Sequence, residues 1–234
     1  MSYPEITISK KDALSLDAFR EMDYYAVAHY NLPIELMMEN AGLNLARLTA
    51  KNLPNFKAKI LIGVGPGNNG GGGLVAARRL AAWGYDVQID LLSEKLSELP
   101  ALQFNRALKF GVRKYENGIP DIIVDAYLGF SQRPPLRKNL VQKIESFNAM
   151  KSYRISLDLP TGLFDSDSHL FFKADAVLAL AAPKKVLYLP QLNKTELFVA
   201  DLGIPLEVYR KFDTNLYLPF NESSIVKMNR KKVS

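Results

Sequence analysis

Apolar and polar positions recur along this chain in two rhythms. In the first fifty residues the period is helical. Phe19, Met22 and Ala26 fall on one face, which predicts a helix over 12–30 with Asp12 or Ser15 capping its start. Asn31-Leu32-Pro33 breaks it, and Pro33 suits the first turn of a second helix, roughly 33–52, with apolar surface from Leu36, Met37, Met38, Leu43 and Leu45. From residue 57 short apolar runs alternate with helical segments. Ile60-Leu61-Ile62-Gly63-Val64 reads as a strand buried on both faces, as parallel strands are. A Gly-rich turn over 65–73 follows, then a helix from Leu74 to Trp83 stopped by Gly84. The pattern continues with strands at 87–91, 122–124, 154–159, 175–181 and 196–201, and helices at about 100–110 and 138–147. Such alternation predicts an open, mainly parallel sheet covered on both faces, with the N-terminal helices packed on it. No linker divides residues 1–212, which read as a single domain. Beyond lies an extension, 213–234, where the periodicity is lost. Within it, 222–234 reads as a frayed tail.

Composition works mainly by exclusion. Of 234 residues, 48% are hydrophobic and 23% charged, enough for a sizeable core. There is no cysteine, so disulfides, a cysteine nucleophile and thiolate metal sites are excluded; a reducing, cytoplasmic setting fits. His29 and His169 are the only histidines, too few for a His-rich metal site, and they read as core or surface residues. No apolar run approaches ~18 residues, and the N-terminus has no signal-peptide core, so no membrane association is expected. The net charge is +6. Lys227, Arg230, Lys231 and Lys232 against Glu222 place half of that excess in the tail. The rest is unremarkable and does not call for nucleic acid, for which no motif can be named.

The strongest local feature is Gly65-Pro66-Gly67-Asn68-Asn69-Gly70-Gly71-Gly72-Gly73, between a strand and a helix. Glycines permit close backbone approach, and exposed amides at a helix start bind phosphate. Gly65, Gly67 and Gly70 match G-x-G-x-x-G, and Asp90 lies ~20 residues further on, where a ribose-binding acid would stand. On spacing alone, a NAD-dependent oxidoreductase is one reading and a ligand-free tight turn another. No Gly-Lys-Ser/Thr follows, so this is not a P-loop. Asp125 and Asp158 stand at predicted strand ends, where open α/β sheets place their ligands. Carboxylates there serve as general acids or bases, or as cation ligands, or simply satisfy loop amides.

Taken together, five segments carry a resemblance. They are Met38-Glu39-Asn40-Ala41-Gly42; Gly65 to Gly71 running into Leu74-Val75-Ala76-Ala77-Arg78; Asp125-Ala126-Tyr127-Leu128-Gly129; Asp158-Leu159-Pro160-Thr161-Gly162; and Ala174-Asp175 with Ala182-Pro183-Lys184-Lys185. In this order, over roughly 12–212, the chain resembles the YjeF N-terminal domain family of NAD(P)H-hydrate epimerases. The resemblance implies a Rossmann-like three-layer αβα sandwich, often dimeric, acting on NADH or NADPH hydrated on the nicotinamide ring. It implies interconversion of the two epimers without net redox, so that a separate NAD(P)H-hydrate dehydratase can repair both. The kinase-like dehydratase domain fused to many members is not in this sequence. By the same resemblance Asn69, Asp125 and Thr161 are potassium ligands and Asp158 is an acid that contacts the substrate at the reacting ring, where we expect it to act as general acid–base. Asn68, Asn69, Gly70, Gly71 and Gly72 would line the substrate site. So would Gly129, Phe130, Ser131, Gln132 and Arg133, with Glu39 and Asn40 approaching from the second helix. Two positions depart from the family pattern: Gly72 replaces an Asp, and Thr161 replaces a Ser. Thr keeps the hydroxyl. Gly72 opens an alternative, a catalytically impaired nucleotide-binding or RNA-associated dimerisation module.

Overall fold

A computed structural model describes residues 2–212 and 216–231. Among the described residues nine strands form one sheet: β1 (Glu5–Ile8), β2 (Lys59–Val64), β3 (Asp86–Leu91), β4 (Arg113–Lys114), β5 (Ile122–Ala126), β6 (Tyr153–Leu157), β7 (Ala176–Leu180), β8 (Glu196–Ala200) and β9 (Ile225–Arg230). Six α-helices accompany them: α1 (Leu16–Tyr30), α2 (Ile34–Lys51), α3 (Asn68–Ala82), α4 (Glu98–Lys109), α5 (Lys138–Ala149) and α6 (Leu206–Phe212). The strand order is β1-β9-β8-β7-β6-β5-β2-β3-β4, and every pair is parallel except β8–β9.

Alternation within the strands builds two cores. Leu61, Ile123, Val177, Ala179 and Leu197 face α1, α5 and α6; Ile60, Ile62, Ile122, Val124 and Leu178 face α2, α3 and α4. The predicted three-layer sandwich is thus present. α1 starts at Ser15, whose Oγ accepts from the Ala18 N–H at 3.1 Å, and ends at Asn31 in the left-handed region.

Two segments differ from expectation. α3 begins at Asn68, so the turn between β2 and α3 is only Gly65-Pro66-Gly67, and the glycine run forms the first two turns of the helix. The reason is packing. A Cβ on Gly73 would stand 2.6 Å from the Ala126 Cβ, and one on Gly70 2.0 Å from the Gly65 oxygen. Close approach outweighs the ~1 kcal/mol helix cost of each glycine. The segment expected to fray instead supplies β9, which lies between β1 and β8. Its basic residues are used: Lys227 pairs with Glu196 at 2.7 Å, and Arg230 donates to the Leu187 and Leu192 carbonyls. Lys232, the last basic residue of the tail, lies outside the described residues.

Candidate active site

β3 and β5 lie on opposite sides of β2, so the chain reverses direction across the sheet there. A crevice outside the carboxyl ends of the strands is the expected ligand position. A cavity of about 540 Å³ opens at that point. Pro66, Gly67, Asn68, Asn69 and Gly72 form one wall, and Tyr127 to Ser131 after β5 form another. α2 contributes Ile34, Met37, Met38 and Ala41, and α1 covers the side with Phe19, Arg20, Asp23 and Tyr24.

Asp158 follows β6 with φ 67, a left-handed backbone that non-glycine residues seldom adopt. Its own N–H donates to the Leu178 carbonyl at 2.8 Å, which anchors the strained turn. The side chain is almost fully buried. Oδ2 accepts from the Phe130 N–H at 2.8 Å, and Oδ1 accepts from the Lys184 Nζ at 2.6 Å. Gly129 permits this convergence: a Cβ there would meet the Asp158 Oδ2 at 3.0 Å and the Asn69 Oδ1 at 3.1 Å.

Lys184, the partner of Asp158, is a residue that sequence reasoning did not single out. It is completely buried. Its Nζ donates to the Leu180 carbonyl at 2.7 Å and lies 3.6 Å from the centre of the Phe19 ring. Burial lowers its pKa, and Asp158 opposes that shift. The Ala182-Pro183-Lys184-Lys185 motif was the available signal, but the sequence does not say which lysine turns inward.

Asp125 stands level with Gly63 and Ser156 in the sheet and is fully buried. Four donors reach it: the Thr161 Oγ1 at 2.6 Å, the Thr161 N–H at 2.8 Å, the Ser156 Oγ at 2.9 Å and the Tyr127 N–H at 3.2 Å. Desolvation nevertheless pushes its pKa up to about 6. Among the described residues Asp125 has no ion-pair partner. Asp125 and Thr161 are therefore together, while Asn69 lies across Gly129 beside Asp158, its Nδ2 3.5 Å from the Leu157 carbonyl.

Several expected substrate contacts stand elsewhere. Glu39 lies on the side of α2 away from the cavity and binds Arg78 and Arg79, at 2.6 and 2.8 Å. Asn40 donates to the Leu202 carbonyl. Helical periodicity explains both, since Met37, Met38 and Ala41 occupy the inward face. Gln132 clamps a neighbouring loop by donating to the Pro160 carbonyl and accepting from the Gly162 N–H. Arg133 is exposed beyond the rim, and Gly70 and Gly71 are packed under Gly65 and Met38. Asp90 does not reach the cavity. It accepts from the Tyr127 hydroxyl and pairs with Lys143 at 2.7 Å, so both oxygens are engaged and the ribose-acceptor reading loses its acid.

Comparisons with known proteins bear on the family and the fold. Residues 34–186 match the family model for the YjeF-related protein N-terminus. The chain is 33% identical to an NAD(P)H-hydrate epimerase of Rhodopirellula baltica, covering 85% of this chain and 87% of that one. It is 36% identical to an NAD(P)H-hydrate epimerase of Dehalogenimonas lykanthroporepellens, with 92% of each covered. In fold it is similar to the crystal structure of yeast ynu0, YNL200c, at a TM-score of 0.77 and 24% identity over 92% of this chain and 99% of that one.

Proposed function

The chain belongs to the YjeF-related N-terminal family, and from that premise we propose that it is an NAD(P)H-hydrate epimerase, an isomerase that interconverts the epimers of hydrated NADH or NADPH. The observation that carries this reading is the buried Lys184–Asp158 pair at the base of the switch-point crevice. Epimerisation needs proton transfer to and from the oxygen on one carbon and no external electron acceptor. Asp158 suits such work. Each of its oxygens accepts one protein hydrogen bond and retains a lone pair for the substrate. Lys184 and the Phe130 N–H fix its orientation.

Asp125 and Thr161, with the Asn69 side chain turned toward them from its place beside Asp158, would hold a potassium ion. Their donors are all oxygens, and the buried Asp125 carboxylate lacks a cationic neighbour among the described residues. The ion would supply the positive charge that offsets desolvation of Asp125.

The non-catalytic alternative is not favoured. The space left by Gly72 opens beside Leu157, since a Cβ there would lie 3.0 Å from the Leu157 Cδ2, and neither Asp158 nor Lys184 is disturbed. The same functional reading makes the protein a homodimer in the cytoplasm, beside a separate NAD(P)H-hydrate dehydratase. Sedimentation in solution tests the dimer. Among the described residues no helix is long and apolar enough to cross a membrane.

The activity itself is tested with the slowly equilibrating epimers of NADPH hydrate in potassium buffer, separated by chromatography. The protein should accelerate exchange strongly; a rate equal to buffer alone sinks the reading. Asp158→Asn should lose at least ~100-fold in kcat, the usual scale of a general acid–base. Asn also tolerates a left-handed backbone, so the variant should fold.

A further inference from the structure

A second carboxylate faces the same cavity. Asp23 stands on α1 one turn beyond Phe19, the residue whose ring covers the Lys184 ammonium. It is half-buried, and among the described residues its carboxylate accepts no hydrogen bond and forms no ion pair. Arg20, the nearest cation on its own helix, turns to Asp17 at 2.8 Å. The charges that do act on Asp23 belong to the catalytic pair. Burial raises its pKa, Lys184 lowers it and Asp158 raises it. The carboxyl instead opens onto the cavity, free to meet whatever occupies it.

The chemistry asks for two such groups, one on each face of the ring. Hydration of an enamine places the hydroxyl on the carbon bonded to nitrogen. When a proton reaches that hydroxyl, the C–O bond breaks, the nitrogen lone pair forms a C=N⁺ bond and water departs. Water then adds to the opposite face: a C–O bond forms, the π pair returns to nitrogen and one proton leaves the incoming oxygen. One proton enters and one leaves, with no redox change. Asp158 reaches the cavity from the carboxyl end of β6, and Asp23 reaches it from α1.

Resting on the epimerase reading, we propose that Asp23 is the second proton-transfer group of the reaction. It acts on the face of the nicotinamide ring opposite Asp158, one carboxyl giving a proton as the other takes one. After each turnover their protonation states are exchanged, which suits an enzyme that works in both directions.

The test compares wild-type protein, Asp23→Asn and Asp158→Asn in epimer exchange from mildly acid to mildly alkaline pH, with potassium present. Asp23→Asn should lose ~100-fold or more in kcat, with KM changed by less than about threefold. It should also lose one limb of the pH profile. Exchange in water labelled with heavy oxygen should place the label in both epimers. Asp23→Asn with kcat within about threefold of wild type, or with the full pH profile retained, overturns the assignment, and so does product without label. Inactive wild-type protein overturns the epimerase reading itself, a different result from active wild type with an active variant. If Asp23→Asn does not fold, Asp23→Ser is read by the same criteria.

Discussion

Asp158 holds a backbone conformation that costs ~1–2 kcal/mol for an L-residue, and a buried ammonium lies 2.6 Å from its carboxylate. Such strain persists where the surroundings over-determine it, most often at functional sites. Removing one partner of a buried pair strands the other charge, at ~3–5 kcal/mol. Lys184→Met should therefore destabilise by about that amount and abolish epimer exchange. The double variant Asp158→Asn, Lys184→Met should recover part of the stability, because neither charge then remains. Urea unfolding of the four proteins measures the coupling, and strictly additive losses would show that the two residues do not act as a unit. Asp158 and Asp125 were legible in the sequence because each ends an apolar run. Lys184 was not. Lys184 and Lys185 are chemically alike, and only the tertiary bridge from Leu14 to Lys184 sends the first inward while the second stays exposed.

The helix α3 shows how packing overrides local preference. Four consecutive glycines argue for a turn, yet here they form helix, because α2 and the sheet press against them. The four positions should separate on mutation to alanine. Gly70→Ala meets the Gly65 backbone and Gly73→Ala meets the Ala126 Cβ, neither of which can give way, so both should lose ~2 kcal/mol or more. Gly71→Ala crowds the flexible end of Met38, with Pro100 at an ordinary 3.4 Å, and Gly72→Ala crowds a Leu157 methyl, with Ala41 at 3.8 Å, so these should stay within ~1 kcal/mol of wild type. Urea midpoints at constant m-value rank the series, and equal losses at all four sites would refute the packing account. β9 escaped notice for a related reason. Ile225-Val226-Lys227-Met228 is too short and too near a basic cluster to stand out, and its stability comes from β1 and β8, which lie far from it in sequence. Deleting residues 222–234 should therefore lower Tm sharply, whereas loss of a free tail would leave it unchanged.

At the scale of the whole molecule, parallel strand order brings the ends of β2, β5 and β6 side by side and buries Asp125 among them. The open, mainly parallel sheet was legible from the alternation of apolar runs; the strand order and the burial of one aspartate at its centre were not, since both depend on which strands become neighbours. The consequence is a measurable pH dependence. Asp125 has its pKa raised from 3.8 to about 6, so the folded protein holds this proton more tightly than the unfolded chain. Its contribution to stability is fully present below ~4 and is lost as pH rises through about 6. Keeping the ionised group buried above that pH costs about 3 kcal/mol. A potassium ion held by Asn69, Asp125 and Thr161 would offset this cost only while Asp125 is ionised. The gain in Tm from potassium chloride, relative to tetramethylammonium chloride at equal ionic strength, should be large at alkaline pH. It should fall through about 6 and vanish in acid. Asp125→Asn should remove the potassium effect at every pH. A potassium-dependent gain that is independent of pH, or that survives in Asp125→Asn, would place the ion elsewhere in the molecule.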